Sequence, residues 1–227
     1  LYLTCYNISS IRLIDLEEKT VTMQASLSAT GDKPAIINWT VDENQDMIIS
    51  RDLGKDGNVN VLKTRASEFK TEVKLGNSKQ QAVVGAFVHP QTGNIYYTLY
   101  KDQSIYEYKF EDKTTSVIAS HPRVKETLRM VVHPTGKYAY LLRQYNERGN
   151  GYISRMDYNS TTDQFSTPYI VAGSASGSGY RDGVGSRAQL NGPTQGVFVK
   201  NPEYAGEEDE YDFYFCDERN HCIRILT

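Results

Sequence analysis

Short apolar runs alternate with polar turns along the whole chain, and one such unit is repeated. The segment Ala86–Thr98 (AFVHPQTGNIYYT) returns as Met130–Leu142 (MVVHPTGKYAYLL), at a spacing of 44 residues. Weaker copies begin near Trp39 and at Gly196. Repeats of about 40–50 residues built from short strands are typical of the four-stranded blades of a β-propeller. The pattern therefore predicts an all-β chain.

The turn signals divide each unit into four strands, and the second strand of each unit is apolar at almost every position. These second strands are Met47–Ser50, Ile95–Tyr100, Tyr138–Leu142 and Phe213–Cys216. Strands with apolar residues on both faces are typically buried on both, so we expect each to lie between two neighbouring sheets. The fourth strand of each unit is more polar, and we expect it to be the most solvated.

The repeat predicts one propeller domain over residues 1–227. Its blades are expected at 34–76, 81–120 and 127–173, with partial blades at 1–23 and 194–227. Both ends have the pattern of second and third strands, so they cannot be joined into one shared blade. We therefore expect about four and a half blades of a larger ring.

Residues 171–226 contain the most specific motif of the chain. An Ala-Gly pair precedes a Gly-rich turn with Asp182-Gly183, and a strand ending at Asp217 leads through Asn220-His221 into Ile-Arg. This stretch resembles the NHL repeat. The resemblance implies a propeller, commonly six-bladed, that acts mostly as a binding platform.

The amino-acid sequence of this repeat resembles repeats in secreted or lipid-anchored proteins of Gram-negative gut bacteria. Those relatives have an immunoglobulin-like TIG domain before the propeller. The resemblance therefore implies a location in the periplasm or at the cell surface and an upstream immunoglobulin-like domain.

Charge and hydropathy exclude two classes of partner. The formal net charge of -3 provides no basic field for phosphates, which argues against nucleic acid. No apolar run approaches the roughly 18 residues of a membrane-spanning helix, so we expect no membrane insertion by this segment. Cys216 and Cys222 flank one turn, where either a cross-strand disulfide or two independent buried thiols fit.

No motif for catalysis is apparent. The sequence has no Gly-x-Ser-x-Gly nucleophile elbow. The first strands of the units, which line the central channel of a propeller, offer almost no polar side chains for catalysis beyond Asn38 and Arg129. The glycines at 177, 179, 183 and 185 are expected to allow positive φ in a loop. That loop lacks the Gly-Lys-Ser/Thr ending of a phosphate-binding loop. We therefore assign no catalytic residue, no metal and no cofactor.

Two further features have structural explanations. His89 and His133 occupy equivalent repeat positions before proline, and we interpret both as turn residues rather than metal ligands. The acidic run from Glu203 to Asp212 lacks the spacing of a calcium loop, and we interpret it as a solvated loop tip.

The candidate binding face is formed by the turns from second to third strand and from fourth to first strand. Its residues are Arg51, Asp52, Tyr100, Asp102, Arg143, Tyr145, Arg148, Tyr180, Arg181, Asp182, Arg219 and His221. Tyrosine stacks on apolar ring faces, and Arg or Asp hydrogen bonds to hydroxyls and carboxylates. The largest insertion, 173–195, places the predicted surface around Tyr180, near Tyr145 and Arg148.

The sequence thus favours a non-enzymatic binding or scaffolding propeller whose ligand is a glycan or a partner protein. The alternative is a hydrolase or lyase with its site in the central channel or in the missing blades.

Overall fold

The structure is a computed structural model. It describes residues 2–5, 10–26, 35–41, 47–52, 59–65, 68–75, 83–99, 102–125, 127–143, 151–207 and 209–227. Regular structure in these ranges consists of antiparallel β-strands and three short 3-10 turns. The all-β prediction is confirmed.

The first two sheets follow the chain in simple meanders. The first sheet contains β1 (Tyr2–Cys5), β2 (Ser10–Asp15) and β3 (Thr20–Ser26). The second contains β4 (Ala35–Val41), β5 (Met47–Asp52), β6 (Val59–Arg65) and β7 (Glu68–Leu75).

The third and fifth sheets follow the chain in the same way, whereas in the fourth sheet the last two strands both pair with its third strand. The third contains β8 (Val83–Val88), β9 (Ile95–Leu99), β10 (Ser104–Lys109) and β11 (Thr114–Ser120). The fourth contains β12 (Thr127–Val132), β13 (Tyr138–Arg143), β14 (Tyr152–Asn159), β15 (Gln164–Phe165) and β16 (Tyr169–Gly173). The fifth contains β17 (Pro193–Lys200), β18 (Tyr211–Asp217) and β19 (Cys222–Leu226).

The chain divides into two compact units. One comprises residues 1–100 and 107–116, and the other comprises residues 101–106 and 117–227. Within the first unit β4 lies beside β8, and within the second β12 lies beside β17. The first strands of successive sheets are therefore neighbours in both units.

Second strands β9 and β13 lie in the core, as predicted. All five residues of β9 are buried, and so are the first five residues of β13. In the second unit, Tyr138, Tyr140 and Leu142 pack against Phe213 and Phe215 of the fifth sheet. Burial of aromatic and aliphatic side chains on both faces of β13 stabilises this part of the chain.

The fourth strands differ from one another. Strand β11 is exposed over its first four residues, as predicted for an outermost strand. Strand β16 is exposed at Tyr169 but buried at Ala172 and Gly173. A Cβ on Gly173 would lie 2.5 Å from the Gly151 carbonyl oxygen. The end of this strand is therefore closely covered, unlike that of β11.

Candidate functional site

The turn between β18 and β19 provides the base of the candidate site. Strand β18 ends at Asp217, and a 3-10 turn over Glu218–Asn220 follows it. His221 closes this turn with a positive φ of 53° and donates its backbone N–H to the Glu218 carbonyl. Two backbone N–H groups of the turn, those of Glu218 and Arg219, donate to Gly192 and Asn191. The turn is thereby fixed to the end of the loop that precedes β17.

A buried carboxylate links this turn to the same loop. The Asp217 side chain is fully buried, and its Oδ1 accepts a hydrogen bond from the Asn191 backbone N–H at 2.7 Å. Its Oδ2 accepts from Asn220 Nδ2 at 2.8 Å and from Arg224 Nη1 at 3.2 Å. A buried charge needs such partners because the interior offers no water to solvate it.

Arg224 extends the network to the middle of the loop. Its Nη1 donates to the Gln189 carbonyl at 2.7 Å, and its Nη2 donates to the Arg181 carbonyl at 2.9 Å. Nη2 also contacts Asp182 Oδ1 at 2.6 Å. The guanidinium has several donors in a fixed plane, and here they hold two segments of loop backbone together.

The loop is thus held mainly through its backbone, which leaves several of its side chains in solvent. Tyr180 is 71% exposed and Val184 is 75% exposed. The Arg224 Cζ atom lies 5.9 Å from the centre of the Tyr180 ring. At this distance the negative face of the aromatic ring attracts the guanidinium cation. The arrangement presents an aromatic ring on a rigid support, which suits stacking against a ligand.

The glycines of this loop act differently from the prediction. Of the four glycines expected to have positive φ, only Gly185 does, and the expectation is wrong for the other three. A Cβ on Gly179 would lie 2.7 Å from Oε1 and 3.1 Å from Cβ of Gln189, so a larger residue there would require the Gln189 side chain to move. The Gly179 carbonyl accepts a hydrogen bond from Asn220 Nδ2 at 2.9 Å.

Several predicted face residues meet in this region. Tyr180, Arg181 and Asp182 lie on the loop, and Arg219 and His221 are exposed on the adjoining turn. Gly151, the residue before β14, also contacts the loop, since it forms an antiparallel bridge with Leu190.

Two face residues have local partners. Arg143, at the end of β13, donates to the Tyr152 hydroxyl and lies over the Tyr152 ring. Asp102 accepts from the backbone N–H of Ser104 and from the Tyr106 hydroxyl. Partial burial raises the pKa of Asp102, but these hydrogen bonds outweigh it and the pKa falls below its usual value. Asp102 therefore has a role in its own turn.

The other predicted face residues are not placed by the structure. Arg51 and Asp52 belong to the end of β5, and their side chains lie outside the described part. Tyr100, Tyr145 and Arg148 lie outside the described residues, as does the Asn38 side chain.

Sequence reasoning missed Asp217 and Arg224 as organising residues. Both belong to the motif that resembles the NHL repeat, but the motif alone does not indicate that their side chains hold the loop. An arginine flanked by Ile223 and Ile225 in a strand was the available signal, because a charged residue there needs a partner across the sheet or in a nearby loop.

The acidic segment 201–212 is not a freely solvated tip, so that interpretation is wrong for three of its residues. Asp209 accepts from the Tyr138 hydroxyl at 2.6 Å and lies 3.2 Å from His133 Nε2. Glu210 pairs with Lys200 Nζ at 2.6 Å, and buried Asp212 accepts from Asn201 Nδ2.

The ring of His133 is buried at the base of this segment. It stacks on Tyr138 at 4.5 Å, and the rings of Phe198 and Tyr211 lie edge-on at 4.8 and 5.0 Å. Burial lowers the pKa of His133, although the Asp209 carboxylate opposes this shift. For Asp209, burial raises the pKa, but hydrogen bonds from Tyr138 and the backbone, with His133, bring it below its ordinary value.

Both repeat histidines are buried in their own turns. His89 and His133 have exposed fractions of 0% and 2%. The backbone N–H of His89 donates to the Asn94 carbonyl, and that of His133 donates to Tyr138. These contacts agree with the turn interpretation. Among the described residues, no group of three or more His, Cys, Asp or Glu could hold a metal ion.

The two cysteines of the last turn are free. The register pairs Cys216 with Ile223 and Cys222 with Asp217. Because successive residues point to opposite faces of a strand, the two thiols lie on opposite faces of the fifth sheet. The structure therefore contains independent thiols, but Cys216 is exposed and Cys222 is half-buried, so the expectation that both thiols are buried is wrong.

Three solved structures are similar to the chain over its whole length. Two are auxiliary nutrient binding proteins, from Bacteroides ovatus ATCC 8483 (36% identity, TM-score 0.82) and Bacteroides thetaiotaomicron VPI-5482 (35%, 0.81). The third is a putative phosphatase from Bacteroides thetaiotaomicron VPI-5482 (30%, 0.78). The chain is covered to 100% in each case, and it spans about half of those chains, 51%, 51% and 54%.

These comparisons and the strand order establish the class: the fold is of the β-propeller type. No protein-family model and no curated protein matches the chain. No helix in the described part of the chain is long and apolar enough to cross a membrane.

Proposed function

We propose that the chain is a non-enzymatic binding propeller that holds a glycan on the face of Tyr180. The main support is the way the loop over residues 174–192 is built. Buried Asp217 and Arg224 hold its backbone, so Tyr180 is exposed without being loosely attached. A pre-ordered aromatic ring loses little conformational entropy when a ligand stacks on it.

The chemistry of the face suits a sugar ring. Tyrosine presents an apolar ring face with a hydroxyl at its edge, and Arg181, Asp182 and Arg219 provide polar groups beside it. The names of the two auxiliary nutrient binding proteins agree with a nutrient glycan as the ligand. A partner protein is the other ligand class that this face fits.

The remaining parts of the proposal rest on the sequence motif and on the Bacteroides proteins that the chain resembles. The repeats are of NHL type, and an immunoglobulin-like domain precedes the propeller. The protein works outside the cytoplasm, in the periplasm or at the cell surface.

The test is a glycan array with the intact protein, followed by titration of any sugar bound. Tyr180→Ala with Arg181→Ala and Tyr145→Ala should weaken binding by at least about tenfold. Tyr180→Phe alone should retain most of the affinity, because it keeps the stacking ring. Tyr204→Ala, at the opposite end of β17, is the matched control and should bind normally. Unchanged binding by the triple variant would place the site elsewhere.

A hydrolase is the second candidate, and the similarity to a putative phosphatase is the observation that favours it. The full-length protein would then hydrolyse a phosphate ester. Metal analysis together with turnover of p-nitrophenyl phosphate tests this. Turnover that is lost on substitution of a channel residue such as Arg129 would establish an enzyme and contradict the binding-only proposal.

A further inference from the structure

The two ends of β17 differ in charge. In the loop before this strand and the turn after β18 (residues 174–192 and 217–224), cationic side chains outnumber acidic ones: Arg181, Arg187, Arg219, Arg224 and His221 against Asp182, Asp217 and Glu218. The loop after β17 (residues 201–212) contains six acidic residues and no lysine or arginine. The face of Tyr180 is therefore the more positive end of this sheet, in a chain whose formal net charge is -3.

Two carboxylates on the face of Tyr180 are engaged by one arginine. Asp217 is fully buried and accepts three hydrogen bonds, one of them from Arg224. Asp182 Oδ1 lies 2.6 Å from Nη2 of the same arginine, whose side chain is only 10% exposed. The guanidinium groups of Arg181 and Arg187, which are exposed, take no part in this pairing.

These two exposed arginines are neighbours in space. Arg181 donates from Nε to the Arg187 carbonyl at 3.1 Å, and Arg187 is the last residue of a 3-10 turn over Gly185–Arg187. The sequence from residue 183 to residue 187 contains no acidic residue. Like charges held close together repel each other, so an anion bound beside the two arginines is favoured.

The backbone of Arg181 is fixed, which restricts its side chain. Its N–H donates to the Gln189 carbonyl at 3.4 Å, and its carbonyl accepts from the Gln189 N–H at 2.9 Å and from Arg224 Nη2 at 2.9 Å. Because Nε is bonded to the Arg187 carbonyl, the terminal nitrogens of Arg181 can donate in parallel to two oxygens of one carboxylate or sulfate. Such charge-assisted hydrogen bonds are stronger than those between neutral groups.

We infer that the face of Tyr180 selects a negatively charged glycan, and that Arg181 binds its carboxylate or sulfate group. The inference rests on the proposed function, since it names the class of sugar that the same site takes. The Tyr180 ring, 71% exposed, stacks on the apolar face of a sugar ring. Arg181, the next residue, hydrogen bonds to the charged substituent. A uronic acid and a sulfated sugar both have these two features.

Matched pairs of sugars test the requirement for charge. Tetragalacturonate is compared with its methyl ester, and a sulfated galactan oligosaccharide with its desulfated form, by calorimetric titration of the intact protein. The charged member of at least one pair should bind at least about fivefold more tightly. This preference should shrink as the salt concentration is raised, because ions screen exposed charges. The pair that shows the preference distinguishes a carboxylate from a sulfate, and equal affinities within both pairs would overturn the inference.

Substitutions of Arg181 test its role. Arg181→Gln should weaken binding of the charged sugar about fivefold and leave that of its neutral partner within about twofold. Arg181→Lys should have an intermediate preference, since it keeps the charge but loses the paired donors. Lys137→Gln is the matched control, because it removes the same charge from an exposed residue in the turn before β13. If this control weakens binding of the charged sugar as much as Arg181→Gln does, the net charge of the protein makes the selection and the assignment of Arg181 is wrong.

The outcomes separate this inference from the proposed function. If Tyr180→Ala weakens the charged and neutral sugars alike and Arg181→Gln weakens neither, the face binds glycans without selecting charge. The inference is then wrong, and the proposed function stands. The inference also fails if neither charged sugar binds, whichever neutral sugar the array identifies. If no sugar depends on Tyr180, both the inference and the proposed function are wrong.

Discussion

Two loops flank β17, and they are held in opposite ways. In the loop before β17, side chains of the fifth sheet hydrogen bond to loop backbone, so Tyr180 stays exposed. In the loop after β17, the loop's own carboxylates make the contacts, among them Asp209 with Tyr138 and Glu210 with Lys200. The first loop therefore retains side chains for a ligand, while the second uses several of its side chains for folding.

This difference shows that the residue types in a loop do not decide whether its side chains are available to a ligand. The acidic loop has the more conspicuous composition, but a carboxylate already paired with a tyrosine and a histidine has little left to offer a ligand. The Gly-rich loop is less conspicuous, yet its fixed backbone presents an exposed ring. Loop function follows from which atoms are already satisfied.

The largest expected effect is at the network that holds the first loop. Asp217→Ala should destabilise the protein by about 3–5 kcal/mol, because it removes the fully buried carboxylate that accepts hydrogen bonds from the Asn191 backbone, from Asn220 and from Arg224. The free energy of unfolding in urea measures this. Asp182→Asn is the control, since that side chain is 95% exposed and should matter little. Comparable losses from both variants would contradict a role specific to Asp217.

The second effect is a dependence on pH through the second loop. Burial lowers the pKa of His133 in the folded protein below its unfolded value of 6.5. The unfolded chain therefore binds a proton first as the pH falls below about 6.5, and stability is lost from there down to the folded pKa. The loss is at most about 1.4 kcal/mol per pH unit for one proton.

His133→Gln removes this titration, and its stability should vary less than that of the natural protein between pH 7.5 and 5.5. Urea unfolding at several pH values gives the difference. Parallel stability curves would show that His133 does not titrate differently in the folded and unfolded states.

The features of the fold and of the two loops that depend on residues close in sequence could be predicted. Short apolar runs between turn signals predicted the strands, and the runs that are apolar at almost every position predicted the burial of β9 and β13 on both faces. The insertion before β17 likewise placed Tyr180 and Asp182 on one loop. Both signals lie in neighbouring residues.

The contacts that hold the loops are not local, and sequence patterns did not predict them. Arg224 reaches the carbonyls of Gln189 and Arg181, and His133 reaches Asp209 in the loop after β17. From its position in an acidic run, Asp209 would be predicted to be solvated. Only the packing of the fourth and fifth sheets shows which oxygens the buried donors reach.

A smaller effect is expected at the second loop itself. Asp209→Asn should cost about 0.5–1.5 kcal/mol, because the charge that accepts from Tyr138 and faces His133 is lost while the packing remains. Urea unfolding measures the change, and limited proteolysis should show faster cleavage within residues 203–208. Glu203→Gln, an exposed residue of the same loop, is the control and should be neutral. Faster cleavage in both variants would mean that any loss of acidic charge loosens the loop.

The smallest effect is at the exposed ring of the first loop, and there the comparison is sharpest. Tyr180→Ala should change the free energy of unfolding by less than about 0.5 kcal/mol, since the ring is 71% exposed and the loop is held by backbone contacts. The same substitution should reduce ligand binding. Tyr138→Ala is the opposite case, because Tyr138 is buried and contacts His133, and it should cost about 3–5 kcal/mol. A large loss of stability in Tyr180→Ala would show that the ring supports the loop, and the distinction between a loop that retains its side chains and one that uses them would no longer hold.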